Sequence, residues 1–273
     1  MTPPAMTEGT TLDALLRRDR VIVLAALAAV VALAWVYLVV LARAMAAMAA
    51  PDGFAAFMGL MPMGRWGPWE YAIGFVMWAL MMVGMMVPAA LPVVLIHARV
   101  ARRARAQARP IAGTAIFVLG YLGAWVAFSA VAAALQGALV RAALLTDGMT
   151  SASAGLAGAV LILAGLYQWT PQKRACLAHC RSPIHFLTAH WRPGRWGALG
   201  MGMHHGAYCV GCCWALMAVL FAVGIMNLAW VAAIAVIVVI EKTLPFGAWS
   251  GRVAGAALVI LGIATLLGTV AGA

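Results

Sequence analysis

The sequence is poor in charge. Asp, Glu, Lys and Arg make up 9% of its 273 residues, against 66% hydrophobic residues, whereas a soluble domain carries roughly 25% charged residues. That excludes an ordinary water-facing surface. With a mean hydropathy of +1.01, the chain reads as an integral membrane protein. Acidic residues are scarcest, 7 against 18 Lys and Arg, for a net charge of +11. So few carboxylates leave no pair suited to acid–base catalysis and disfavour a magnesium or calcium site. A P-loop, a dinucleotide fingerprint, a serine-hydrolase elbow and an H-E-x-x-H motif are also missing. The basic excess lies in short connectors between apolar runs, where it reads as topology and contact with anionic lipid. Nucleic acid is therefore not an expected partner. No cleavable signal peptide is expected either, because residues 1–20 are polar and a full-length span follows.

Uncharged apolar runs occupy 21–42, 71–96, 111–140, 151–170, 206–240 and 253–273. About 20 helical residues cross a bilayer, so 206–240 is too long for one ordinary span. Gly224-Ile-Met-Asn227 predicts a tight hairpin inside it, with Asn227 capping the next helix. The expectation is an all-α, polytopic transmembrane helix bundle of about seven spans. Six is the alternative if the long run is tilted or re-entrant. A cytoplasmic tail over 1–20 precedes a single transmembrane domain over 21–273. Basic residues cluster before the first span (Arg17, Arg18, Arg20), in the second connector (Arg99, Arg102, Arg103, Arg105, Arg109) and in the fourth (Lys173, Arg174, Arg181, Arg192, Arg195). The other connectors hold little beyond Arg43, Arg65 and Arg141. This bias places the N-terminus in the cytoplasm. Trp66 and Trp69 would mark the outer boundary, and Trp169, Trp191, Trp196 and Trp249 the inner one.

All five cysteines fall between positions 176 and 213. Cys176 and Cys180 are four residues apart, on one helix face, where they could grip one metal or form a strained disulfide; His179 lies between them. His205, Cys209, Cys212 and Cys213 have offsets of 0, 4, 7 and 8, which is one helical stripe. Both groups are expected at the cytoplasmic boundary, joined by a connector that carries His179, His185, His190 and His204. Thiolate and imidazole together suit Cu(I), zinc or an iron–sulfur cluster, and a reducing cytoplasm disfavours a structural disulfide. The plain alternative is that buried cysteines act as small hydrophobic residues.

Three stretches carry a resemblance: Tyr167–Leu187 (YQWTPQKRACLAHCRSPIHFL), Cys209–Trp230 (CVGCCWALMAVLFAVGIMNLAW) and Glu241–Pro245 (EKTLP). Together with the methionine-rich Trp78–Leu95, they resemble a bacterial family of predicted metal-binding integral membrane proteins, over roughly residues 70–245. The resemblance implies metal ligation by Cys176, Cys180, Cys209, Cys212 and Cys213. The candidate histidines, His205 and His179, rest on spacing alone.

Methionine is abundant, with 17 residues. Met77, Met81 and Met85 recur at i, i+4 and i+8, with Met82 and Met86 alongside. Thioethers are soft, neutral ligands, and M-x-x-x-M in a membrane helix resembles, as a motif only, the pattern of eukaryotic copper uptake channels. Such a stripe would lead inward from an outer mouth flanked by Met45, Met48, Met58, Met61 and Met63. The competing expectation is plain packing, since Met fills gaps between helices. Pro88 and Pro92 are expected to end the stripe by kinking or unwinding the helix. Glu241 is expected to pair with Lys242, while Gln136 and Gln168 have no evident partner.

Three functions stay open at this level. The first is a Cu(I)-binding membrane protein that carries the ion from methionines to thiols, with zinc or iron as alternative metals. The second is a thiol–disulfide or metal-dependent oxidoreductase using Cys209-x-x-Cys212 or the vicinal Cys212-Cys213, so enzymatic activity is left undecided. The third is an assembly subunit whose metal staples helices. Expected partners are the lipid bilayer and a copper chaperone or membrane partner subunit, with oligomer formation left open.

Overall fold

A computed structural model describes residues 8–48, 66–106, 113–146 and 150–269. Among the described residues ten helices run in order: α1 (Glu8–Met48), α2 (Pro68–Ala106), α3 (Thr114–Arg141), α4 (Ala154–Tyr167), α5 (Pro171–Arg181), α6 (Pro183–Ala189), α7 (Gly194–Ala218), α8 (Leu220–Val223), α9 (Leu228–Thr243) and α10 (Gly247–Leu266). No strand forms among the described residues, only an isolated bridge between Leu145 and Ser151. The chain is all-helical, as expected. Met58, Met61, Met63, Arg109 and Asp147 lie outside the described residues, and Met45 and Met48 are described only as part of α1.

Among the described residues five helices are long and apolar enough to cross a membrane, and six if α4 and α5, bent by 60° at their junction, count as one span. The predicted hairpin is present: Gly224 takes φ +105°, a conformation that side chains resist, and Asn227 accepts a hydrogen bond from the Trp230 N–H at 3.4 Å. The helix that follows, α9, has only 16 residues, about 24 Å at 1.5 Å per residue. Large apolar side chains stand exposed around the bundle, among them Leu33, Leu119, Val131 and Ile260, and Trp196, Trp169 and Trp249 are exposed too. In water this would be an untenable surface; against lipid it is the ordinary one.

The helices meet in a chain of neighbours: α1 on α2, α2 on α3, α3 on α7, α7 on α5, α4 on α10, and α9 on both α2 and α10. Glycine makes the α3–α7 contact. A Cβ at Gly202 would run into the Phe117 carbonyl, and one at Gly206 would lie 2.6 Å from Ala124 Cβ. Small residues at such crossings let backbones touch where lipid gives no hydrophobic incentive to associate. Gly202→Leu should force the pair apart and lower stability by about 1–3 kcal/mol or more. A fall in the thermal midpoint in detergent, with loss of the ordered thiol environment, would show it; an unchanged midpoint would count against this packing.

Two sequence expectations about α2 and α7 are corrected. Pro88 and Pro92 follow the last methionine of the stripe but do not unwind α2, which stays helical through both. Proline at 88 removes the N–H that Gly84 O would accept from, and Trp35 Nε1 on α1 supplies the donor instead, at 3.3 Å. The second concerns the thiol helix. It begins at Gly194 rather than near 206, so Cys209, Cys212 and Cys213 lie in its second half, not at its mouth. The polar look of His204-His205 was misleading because His205 is buried against neighbouring rings.

Candidate metal centre

Helix α7 supplies Cys209, Cys212 and Cys213, and α5 supplies Cys180. All four are buried, and every cysteine is a free thiol. Cys212 and Cys213 sulfurs are 3.2 Å apart, Cys180 lies near enough to Cys209 and Cys212 for the thiols to influence one another, and so does Cys213 to Cys209. So the sequence-distant Cys180 joins the α7 stripe, and four sulfurs share one buried place. Cys176, one turn earlier on α5, is half-buried. It faces Gly211, where an added Cβ would come within 2.9 Å of its sulfur.

The bend between α4 and α5 makes this meeting happen. Thr170 caps α5 by accepting the Lys173 N–H at 3.3 Å, with Pro171 in the first turn, a combination suited to starting a helix. The new direction carries Lys173 into the bundle, where its Nζ donates to both oxygens of Glu241, at 2.7 and 2.8 Å, and to Gln168 Oε1. Immediately after Cys180, at the end of the same short helix, Arg181 donates to the carbonyls of Glu241, Leu244 and Pro245 at 3.1, 2.9 and 2.9 Å. These carbonyls lie at and just past the C-terminal end of α9, which a guanidinium suits well. Helix α5 is thus clamped to α9 at both ends, which sets Cys180 against α7.

This corrects the expected Glu241–Lys242 pair. Successive helical residues point about 100° apart, so the two cannot share one direction. Glu241 takes Lys173, and Lys242 Nζ donates to Cys209 Sγ at 2.7 Å. Gln136 has a partner as well, accepting from Trp78 Nε1 at 2.8 Å.

The methionine stripe approaches the thiols at Met86, its last residue. Met77, Met81, Met82, Met85 and Met86 are all buried, at 0–2% exposure. Tyr121 on α3 joins the two features: its hydroxyl donates to the Met86 carbonyl at 2.9 Å and sits 3.1 Å from Cys209 Sγ. The histidines divide. His205 is buried one turn before Cys209, packed against Tyr121 and Phe186, and its Nδ1 has no hydrogen-bond partner among the described residues. His179 instead stacks on Tyr208 with ring centroids 4.1 Å apart, its Nδ1 held by the Ala175 carbonyl. Among the described residues, no group of three or more His, Cys, Asp or Glu side chains is already spread as a metal cage. The sulfurs touch one another, Lys242 and Tyr121.

A family model described as PpoB2, copper chaperone, matches residues 75–265. The chain belongs to the PpoB2 copper chaperone family. No curated protein and no solved structure matches it. The PpoB2 match begins inside α2, ahead of Met77, and ends inside α10, so it takes in the methionine stripe and all five cysteines. The metal-related family expected from the sequence is met at that level, and copper is the metal it suggests. Buried soft sulfur with few carboxylates agrees with that metal, since thiolate and thioether favour Cu(I).

The sequence did not reveal Lys242 and Tyr121 as neighbours of the thiols, nor Lys173 as the partner of Glu241. For the lysines a signal existed. A charged residue in or at the edge of an apolar span usually faces the bundle interior and a partner, yet Lys173 was counted only as topology. Tyr121 gave no signal, because one tyrosine in an apolar helix looks like any other.

Proposed function

We propose that the chain is a multi-pass protein of the bacterial inner membrane that binds Cu(I) through two thiolates drawn from the group Cys180, Cys209, Cys212 and Cys213 and hands it to an acceptor. The observation that carries this reading is the convergence of four buried thiols from α5 and α7 in a chain of the PpoB2 copper chaperone family. In this reading the N-terminus is cytoplasmic and the short α9 is one of seven crossings. Cu(I) reaches the thiols from the outer side along Met77, Met81 and Met85, and Tyr121 marks the point where stripe and thiols adjoin. Cys176 and His179 lie on the way out, and His205, with its free Nδ1, is an auxiliary donor. The acceptor is a soluble copper chaperone or a membrane partner subunit.

Metal analysis of protein purified in detergent without oxygen or chelator is the test. Near-stoichiometric copper is expected in the wild type, and its loss in Cys209→Ser/Cys212→Ser/Cys213→Ser. Zinc or iron at that level, or a disulfide with no metal, would sink the copper reading. The stripe is tested separately. Met81→Leu/Met85→Leu preserves volume, so Cu(I) affinity should hold while loading of the thiols in vesicles slows. Equal loading rates would return the methionines to plain packing.

A further inference from the structure

We propose that Lys242 sets the charge of the metal the thiol site accepts, favouring monovalent copper over divalent zinc. The inference rests on the copper reading above and deepens it. Three charged side chains are buried together where α5 meets α9: Lys173, Glu241 and Lys242. Both oxygens of Glu241 are engaged by Lys173, so that pair balances itself. Arg181 is directed to backbone carbonyls. Lys242 is left with a sulfur, Cys209 Sγ at 2.7 Å, and no carboxylate contacts it among the described residues.

A buried cation without a counter-charge is costly in a low dielectric. The sulfur site is therefore best balanced when it carries one negative charge. Cu(I) held by two thiolates has a net charge of minus one, and the ammonium of Lys242 brings the sum to zero. Zn(II) on the same two thiolates is neutral and leaves Lys242 uncompensated. To reach the same balance zinc must draw in a third thiolate, and it then still seeks a fourth donor, as its tetrahedral preference requires. Lys242 is thus a positioning and selecting residue rather than a ligand. Its ammonium is placed by the same α9 end that Lys173 and Arg181 hold in register.

The experiment uses the full chain in detergent, without oxygen. Cu(I) affinity is read by competition with bicinchoninate and Zn(II) affinity by competition with a zinc-binding dye, in wild type, Lys242→Met and Lys242→Arg. Lys242→Met should lower the Cu(I)-over-Zn(II) affinity ratio by about tenfold or more, the least expected from removing a unit charge so close to the metal. Lys242→Arg keeps the charge and should retain most of the ratio, which a merely structural role would not predict. An unchanged ratio in Lys242→Met, with Cu(I) still bound, overturns the inference and leaves the copper reading standing. Copper-edge X-ray absorption on the wild type needs no variant: two sulfur neighbours are expected, and three or four would overturn it. A wild-type chain that takes up no Cu(I) overturns the copper reading itself, and that result appears before any variant is made.

Discussion

Glu241→Gln should be one of the most destabilising single substitutions in this protein, by about 3–5 kcal/mol, because it strands Lys173 as an unpaired buried cation. Glutamine nearly matches the glutamate in shape, so little packing changes. The loss comes from desolvated charge: Lys173 and Glu241 are 3% and 0% exposed in their side chains. The same logic predicts recovery. Lys173→Met/Glu241→Leu removes both charges, and replacing a buried pair by apolar groups is often neutral. The double variant should therefore be more stable than Glu241→Gln alone. Denaturation in detergent, followed by helical signal, checks both. A single variant as stable as wild type would mean that this pair does not hold α5 against α9. A double variant no better than the single would mean that Arg181 and Gln168 depend on it too.

The second large effect concerns the individual thiols. Cys209→Ser should reduce Cu(I) affinity on the order of a hundredfold or more, since it removes a soft ligand from the sulfur that touches Cys180, Cys213, Lys242 and Tyr121. Cys180→Ser, Cys212→Ser and Cys213→Ser should each fall between this and wild type. Cys176→Ser should be mild, because its half-buried sulfur sits against Gly211 outside that group. Competition with a chromophoric Cu(I) chelator under anaerobic conditions gives the order directly. If Cys176→Ser proved as damaging as Cys209→Ser, the metal would lie nearer the start of α5 than the four-sulfur contact implies.

These two results separate scaffold from site, although both run through α5. The short helix carries Lys173 and Arg181, which hold it, and Cys180, which it delivers. Loss of the clamp should therefore weaken metal binding indirectly, through Cys180, while loss of a thiol should leave stability nearly unchanged. The K-R-A-C-L-A-H-C-R-S-P and E-K-T-L-P stretches, more than 50 residues apart in the chain, are in contact through these residues. That contact accounts for why two such dissimilar motifs go together with a third, the cysteine stripe of α7.

Composition and periodicity by themselves determined a good deal. Hydropathy settled the helical membrane class, because a bilayer admits few other backbones. Gly224 and Asn227 marked the turn and cap, since local conformation depends on those residues alone. The offsets of Cys209, Cys212 and Cys213 put them on one side of α7, and the methionine offsets put theirs on one side of α2, because helical geometry fixes both. What the tertiary structure decided lies between elements. That Cys180 rather than Cys176 joins the α7 thiols depends on the bend after Gln168. That Glu241 faces Lys173, and Lys242 faces Cys209, depends on how α9 is rotated against α5 and α7. No periodicity encodes such a rotation; it follows from glycine contacts, proline-freed carbonyls and buried charges finding partners across the bundle.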